Sequence, residues 1–192
     1  FGDYEKAKMP LLFTLNWNGN FNNFYKTRWS ASVMNETKGK HLYYFALGNN
    51  FRISDRVSAY FDWMYSIEGV DRKGIITDIV GGMGHTRNTE DVSYMSFVIH
   101  ANYNFHPHWN VFAKFMYENE GIYKTHSAEY DGAEVTLQKG RYRTALGYIA
   151  GVEYYPIKNG NLHLFATYIG RDYRYTGRAR AFGASDLSLI HI

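Results

Sequence analysis

The chain of 192 residues contains no cysteine, which excludes both a disulfide framework and a thiolate metal site. It has only 3 prolines, and no apolar run approaches the roughly 18 residues that a membrane helix needs. Mean hydropathy is −0.42, far from that of a helical membrane protein. Charge is also scarce: the formal excess is +3 and the pI is near 8.9, too little to argue for a nucleic-acid partner. No signal peptide is visible and the first residue is Phe1, so the sequence reads as a mature product or a fragment. The missing leader therefore does not argue against export.

What the chain has in abundance is aromatic side chains: 18 Tyr, 13 Phe and 4 Trp. A soluble β-protein would also be rich in Tyr, so placement decides between the two classes. Three stretches repeat one plan, each an aromatic strand end, a tight polar turn and a new strand. They are Asn50–Trp63, Asn104–Tyr117 and Tyr154–Tyr168. Alternate residues of each new strand form an apolar row: Val57, Ala59, Phe61 and Trp63; Val111, Ala113, Phe115 and Tyr117; Leu162, Leu164, Ala166 and Tyr168. The intervening row is mixed. An apolar row closed by aromatics at both ends is the pattern of a transmembrane β-hairpin, whose rings sit at the water–lipid boundary. Trp63, Tyr117, Tyr168, Phe51, Phe105 and Tyr154 are accordingly the expected aromatic girdle.

A period-2 reading places about nine strands, near 11–18, 24–34, 41–51, 57–67, 92–105, 109–120, 141–155, 161–171 and 184–192. The connections at 18–23, 52–56, 106–109 and 156–160 are short and rich in turn residues. Those at 68–91, 121–140 and 172–183 are long and charged, whereas 35–40 is short. Short periplasmic turns and long external loops are the habit of outer-membrane barrels. Strand parity then points Lys26, Arg28, Lys114, Arg141 and Arg143 inward, with Tyr142 outward. Arg171, Arg174, Arg178 and Arg180 gather near one external mouth. The interior also holds Asp62, Glu118 and Glu153, which counts against strict anion selectivity. The fold expected is all-β, a transmembrane antiparallel up-and-down barrel.

Two runs carry a family resemblance: Tyr60–Thr77 and Gly140–Pro156, together with Asn161–Phe165 and Tyr168–Arg171. They resemble Bacteroidetes porins of the phosphate-selective porin O and P family, over most of residues 40–192. The resemblance implies a porin of about 16 strands, often trimeric, that passes small anions along a ladder of lumenal Arg and Lys. On that basis residues 1–192 are expected to be one barrel segment, the C-terminal part of a longer chain. A bacterial outer-membrane location follows, with membrane lipid and lipopolysaccharide as neighbours.

Other chemistry is poorly supported by the residues. His106 and His108 flank Pro107 in a turn without further nearby ligands, so no metal is expected. No Ser/His/Asp set stands at a recognisable spacing, and no cofactor motif is present. Gly81-Gly82-Met83-Gly84-His85-Thr86 lacks the Lys-Ser/Thr of a phosphate loop, and Asn35-Glu36-Thr37 is without meaning in a bacterium. The expectation is a passive, non-catalytic porin. The alternatives are an adhesin or assembly subunit acting through its external loops, and a barrel enzyme with a catalytic cluster at the external rim.

Overall fold

The computed structural model describes residues 11–35, 40–81, 86–87, 89–130, 132–157, 162–183 and 188–189. In chain order these form β1 (Leu12–Asn20), β2 (Tyr25–Asn35), β3 (His41–Arg52), β4 (Val57–Val70), α1 (Ile75–Gly81), β5 (Thr86–Arg87) and β6 (Glu90–His106). Then follow β7 (Trp109–Ile122), β8 (His126–Tyr130), β9 (Ala133–Leu137), β10 (Gly140–Tyr154), β11 (Leu164–Tyr175), α2 (Gly177–Arg180) and β12 (Ser188–Leu189). No described helix is long and apolar enough to cross a membrane, which has no bearing on crossing by strands. The glycine run at 82–85, the triplet beyond Asn35 and most of the expected strand 184–192 lie outside the described residues.

Nine strands form one antiparallel sheet in the order β1-β2-β3-β4-β6-β7-β10-β11-β12, an up-and-down meander. Short polar side chains build the tight turns. Asn22 Oδ1 accepts the N–H groups of Phe24 and Tyr25, each at 2.8 Å. Ser54 Oγ accepts those of Arg56 and Val57 at 3.2 and 3.0 Å. Such side-chain caps replace backbone partners that a two- to four-residue turn cannot supply.

Directly opposed residues of an antiparallel pair share a face, so register sorts every side chain. One face runs Trp17–Trp29–Leu47–Trp63–Phe97–Tyr117–Leu146 across seven strands. The other runs Asn18–Arg28–Gly48–Asp62–Val98–Met116–Gly147–Arg171 across eight. On the apolar face Leu15 is 75% and Phe13 66% exposed, an arrangement that is stable against hydrocarbon and costly against water. Its polar exceptions near the turns are satisfied internally. Thr27 donates to the Gly48 carbonyl at 3.1 Å, Tyr25 OH donates to Asn49 Oδ1 at 2.7 Å, and Trp29 Nε1 donates to Thr27 Oγ1 at 3.1 Å.

A buried core lies at the long-loop end rather than within the sheet. Ile76 and Ile79 of α1, Val92 and Tyr94 of β6, Ile122, Ala128, Leu137, Tyr142 and Ala179 form one cluster. The regions expected to be plain charged loops are thus structured, with α1 in one, the β8–β9 hairpin in the second and α2 in the third. β5, β8 and β9 form a separate small sheet. Together these pieces make a cap at the long-loop end, rooted on β6, β7 and β10.

Two sequence expectations are corrected here. Register shifts between Arg141 and Arg143, so one extra residue enters β10. Arg141 stands opposite Gly121, whose own partner is Ser93, and therefore shares the apolar row's face instead of Arg143's. Tyr142, expected to meet lipid, is 1% exposed inside the cap core. A bulge reverses parity beyond it, and alternation read from sequence cannot register that. β11 also starts later and ends later than expected, at Leu164 and Tyr175, so Leu162 precedes the strand.

Gly121 is held tightly at this bulge, since an added Cβ would collide with the Gly140 carbonyl oxygen of the neighbouring backbone. Gly121→Ala is expected to cost about 1–3 kcal/mol, read as a lower urea midpoint of the folded protein in detergent. Gly177→Ala has nothing within 4 Å of the new methyl and serves as the unchanged control.

Candidate functional site

The polar face of the sheet is a wall of small, amide and charged side chains arranged in rows by register. Its charged residues fall into two groups. The first lies towards the long-loop end, on β7, β10 and β11. Arg143 stands directly opposite Glu120 and donates to it twice, Nε to Oε2 at 2.5 Å and Nη2 to Oε1 at 2.9 Å. Their side chains are 15% and 5% exposed. Arg171 reaches across β10 and donates through Nη2 to Glu118 Oε2 at 2.7 Å. It can do so because the β10 positions it passes are Ala145 and Gly147. Tyr173 sits between the two cations, with Arg143 Cζ 4.7 Å and Arg171 Cζ 4.8 Å from its ring centroid. Cation–π contact with Tyr173 holds both guanidiniums, Arg143 by a forked pair as well and Arg171 by a single bond.

The second group lies nearer the short turns. Lys26 and Lys114 occupy one row, Lys26–Asn50–Tyr60–His100–Lys114, and Arg28 lies in the next. No ion pair within 4 Å involves Lys26, Arg28 or Lys114 among the described residues. Glu153 is engaged locally, accepting from Asn110 Nδ2 at 2.7 Å and Tyr155 OH at 3.1 Å.

The structure therefore divides the expected basic set. Lys26, Arg28, Lys114 and Arg143 share the polar face, and Arg141 leaves it. Arg171, expected at the mouth, belongs to the wall opposite Gly147. Arg174 faces the other way, opposite Thr144, while Arg178 and Arg180 lie in α2. Arg178 packs its guanidinium against Gly140. Glu120 and Tyr173 went unnoticed in the sequence. The available signal was Glu118 and Glu120 two residues apart on one strand face, a spacing that needs facing cations.

The aromatic residues of the apolar face form two bands. Near the turns Tyr25 stacks on Phe51 at 5.1 Å, and Trp109 contacts Tyr154 at 4.5 Å and Phe105 at 6.5 Å. Further along the strands Trp63 stacks on Tyr65 at 6.3 Å, Phe97 on Tyr117 at 5.2 Å and Tyr148 on Tyr168 at 6.0 Å.

Above the wall the cap is pinned by two aspartates. Asp71 Oδ2 accepts from Thr77 N at 2.7 Å and Thr77 Oγ1 at 3.1 Å, which ties down the start of α1 after the left-handed turn at Gly74. Asp71 Oδ1 accepts from Tyr94 OH, and Lys73 Nζ lies 4.4 Å over the Tyr94 ring. Asp91, itself in the left-handed region at φ 54°, takes Lys40 Nζ and Tyr123 OH, each at 3.0 Å. Burial, reinforced by the Asp71 carboxylate, raises the Tyr94 hydroxyl well above its ordinary range. For Lys40 burial works downwards, but the hydrogen bonds to Asp91 and Glu90 outweigh it and the ammonium holds its proton more tightly than usual. Among the described residues no three His, Asp or Glu side chains stand close enough to share a metal ion.

A meander with an apolar, aromatic-banded outer face, a charged inner face and structured loops at one end defines an outer-membrane β-barrel protein. The family model of phosphate-selective porin O and P matches residues 3–188, and the chain belongs to that family. It is thus an outer-membrane porin, from a family of channels rather than enzymes. Comparison with curated proteins and with solved structures returned no match.

Both raised groups bind protons more tightly when folded, so the stability they lend is complete below about pH 10 and is lost as pH rises past it. Limited proteolysis of the detergent-solubilised protein should show residues 70–81 resistant at pH 8 and cut several-fold faster at pH 11. Tyr94→Phe should already be cut faster at pH 8 and show a smaller alkaline step.

Proposed function

We propose that the protein passes small hydrophilic anions, phosphate-type solutes included, through a water-filled lumen whose bias comes from inward Lys and Arg. The observation that carries this reading is Lys26 and Lys114, set in one row of the polar face without an ion pair among the described residues, with Arg28 in the next row beside Asp62. In water a unit charge about 8 Å from the ion path contributes about 0.5 kcal/mol, about a two-fold change in local anion concentration. A few such charges are enough for a bias, and none need bind the solute tightly, which suits conduction.

The sheet has two edges, and an edge in hydrocarbon leaves backbone groups without partners. The reading therefore includes closure of this segment with further strands into a larger barrel, of about 16 strands as the family resemblance implies. A homotrimer is the assembly that resemblance implies. Arg141 and Arg174 lie on the apolar row's face at the long-loop end, where the phosphates of lipopolysaccharide would be.

A second reading, partner binding through the external loops, is favoured by the cap's own buried core of α1, the β8–β9 hairpin and α2. Planar-bilayer recordings of the full-length protein in asymmetric KCl separate the two. Channels with an anion-favouring reversal potential are expected, and absence of channels or a preference for cations would sink the anion reading. Lys26→Ala with Lys114→Ala should lower the anion-to-cation permeability ratio by roughly five- to ten-fold at low salt.

A further inference from the structure

We propose that the lumenal carboxylates Asp62, Glu118 and Glu120 are selectivity-determining residues, each answering one lumenal arginine, so that the net field of the wall is left to Lys26 and Lys114. This rests on the reading of the polar face as the wall of an aqueous pore. It reverses the simplest view of a basic ladder, in which every inward cation counts equally.

Three arrangements carry it. Arg143 and Glu120 face each other on adjacent strands in a two-pronged pair. Arg171 and Glu118 lie on next-but-one strands, joined at 2.7 Å across the small residues Ala145 and Gly147. Arg28 and Asp62 also stand on next-but-one strands, β2 and β4, here in one row with Gly48 between them, whereas Glu118 lies one row away from Arg171. A Cβ at Gly48 would come within 3.1 Å of Asp62 Oδ1, so the carboxylate leans over the glycine between itself and the arginine strand. Arg28 and Asp62 line the same hollow of the wall.

The lysine row differs in kind. From Asn20 through Lys26, Asn50, Tyr60, His100 and Lys114 to Ile149 and Ile169 it contains no carboxylate. The chemistry matches this division. A guanidinium forks onto a carboxylate and stacks on Tyr173, whereas an ammonium is a compact, hydrated point charge. A closed pair presents a dipole to the passing ion, and its field falls off faster than that of a lone charge. Glu118 and Glu120 thus cancel Arg171 and Arg143, and Asp62 offsets Arg28.

The test uses the full-length protein in planar bilayers, comparing permeability ratios in asymmetric KCl at low salt. Glu118→Gln and Asp62→Asn should each raise the anion-to-cation ratio several-fold over wild type, and in the double variant the two fold-changes should multiply. Glu118→Asp keeps the charge and should keep the ratio. Asp62 is exposed and in no closed pair among the described residues, so its variant remains informative if Glu118→Gln fails to insert. An unchanged ratio in both neutralising variants overturns the proposal, as does a shift in Glu118→Asp as large as that in Glu118→Gln. The wild-type ratio judges the anion reading; the variant-to-wild-type quotient judges this one, whatever the wild-type value.

Discussion

Hydrocarbon offers a peptide group no hydrogen-bond partner, and the rest of this structure depends on that constraint. Each long strand must find its bonds sideways, in the strand before and the strand after it, which is why the sheet is a plain meander with neighbours in sequence order. Sideways pairing in turn fixes register, and register fixes which side chains meet lipid and which meet the lumen. The apolar row from Trp17 to Leu146 and the polar row from Asn18 to Arg171 are two readings of one hydrogen-bond pattern. Where the pattern slips by one residue, at Tyr142, an inward side chain is exchanged for a core residue of the cap.

Charge on the polar face is arranged under the same geometry. A carboxylate and a guanidinium on adjacent strands meet directly, as Glu120 and Arg143 do. On next-but-one strands Glu118 and Arg171 meet because the residues between them, Ala145 and Gly147, are small. Sequence glycines inside strands ordinarily weaken them. Here Gly147 leaves room for Arg171 to reach Glu118. The cap follows different rules. It is a small water-facing domain with a hydrophobic core, held at its base by Asp71 and Asp91 through Tyr94, Tyr123 and Lys40.

Strands with strict alternation and capped turns were legible from sequence. The expected strand at 57–67 begins with β4 at Val57, and those at 41–51 and 109–120 end within two residues of β3 and β7. Parity placed Lys26, Arg28, Lys114 and Arg143 on one face, because nothing interrupts alternation between those residues and their turns. It misplaced Arg141 and Tyr142 because a bulge leaves the sequence pattern intact while shifting the pairing. α1 and the β8–β9 hairpin escaped notice for another reason. Their apolar residues, Ile76, Ile79, Ala128 and Leu137, are too few and too scattered to form a periodic stripe, and only packing against β6, β7 and β10 buries them.

By itself the sequence determined the class of the molecule. Short alternating segments, aromatic ends and polar turns are local properties that lipid and water select residue by residue, and they suffice for an up-and-down membrane sheet. The tertiary structure decided which charges of the polar face are paired. Whether an arginine there stands alone or forms half of a pair depends on what stands one or two strands away, up to 53 residues off in the chain for Arg171 and Glu118. Coulomb interaction is set by distance in space, and no periodicity in the chain records it.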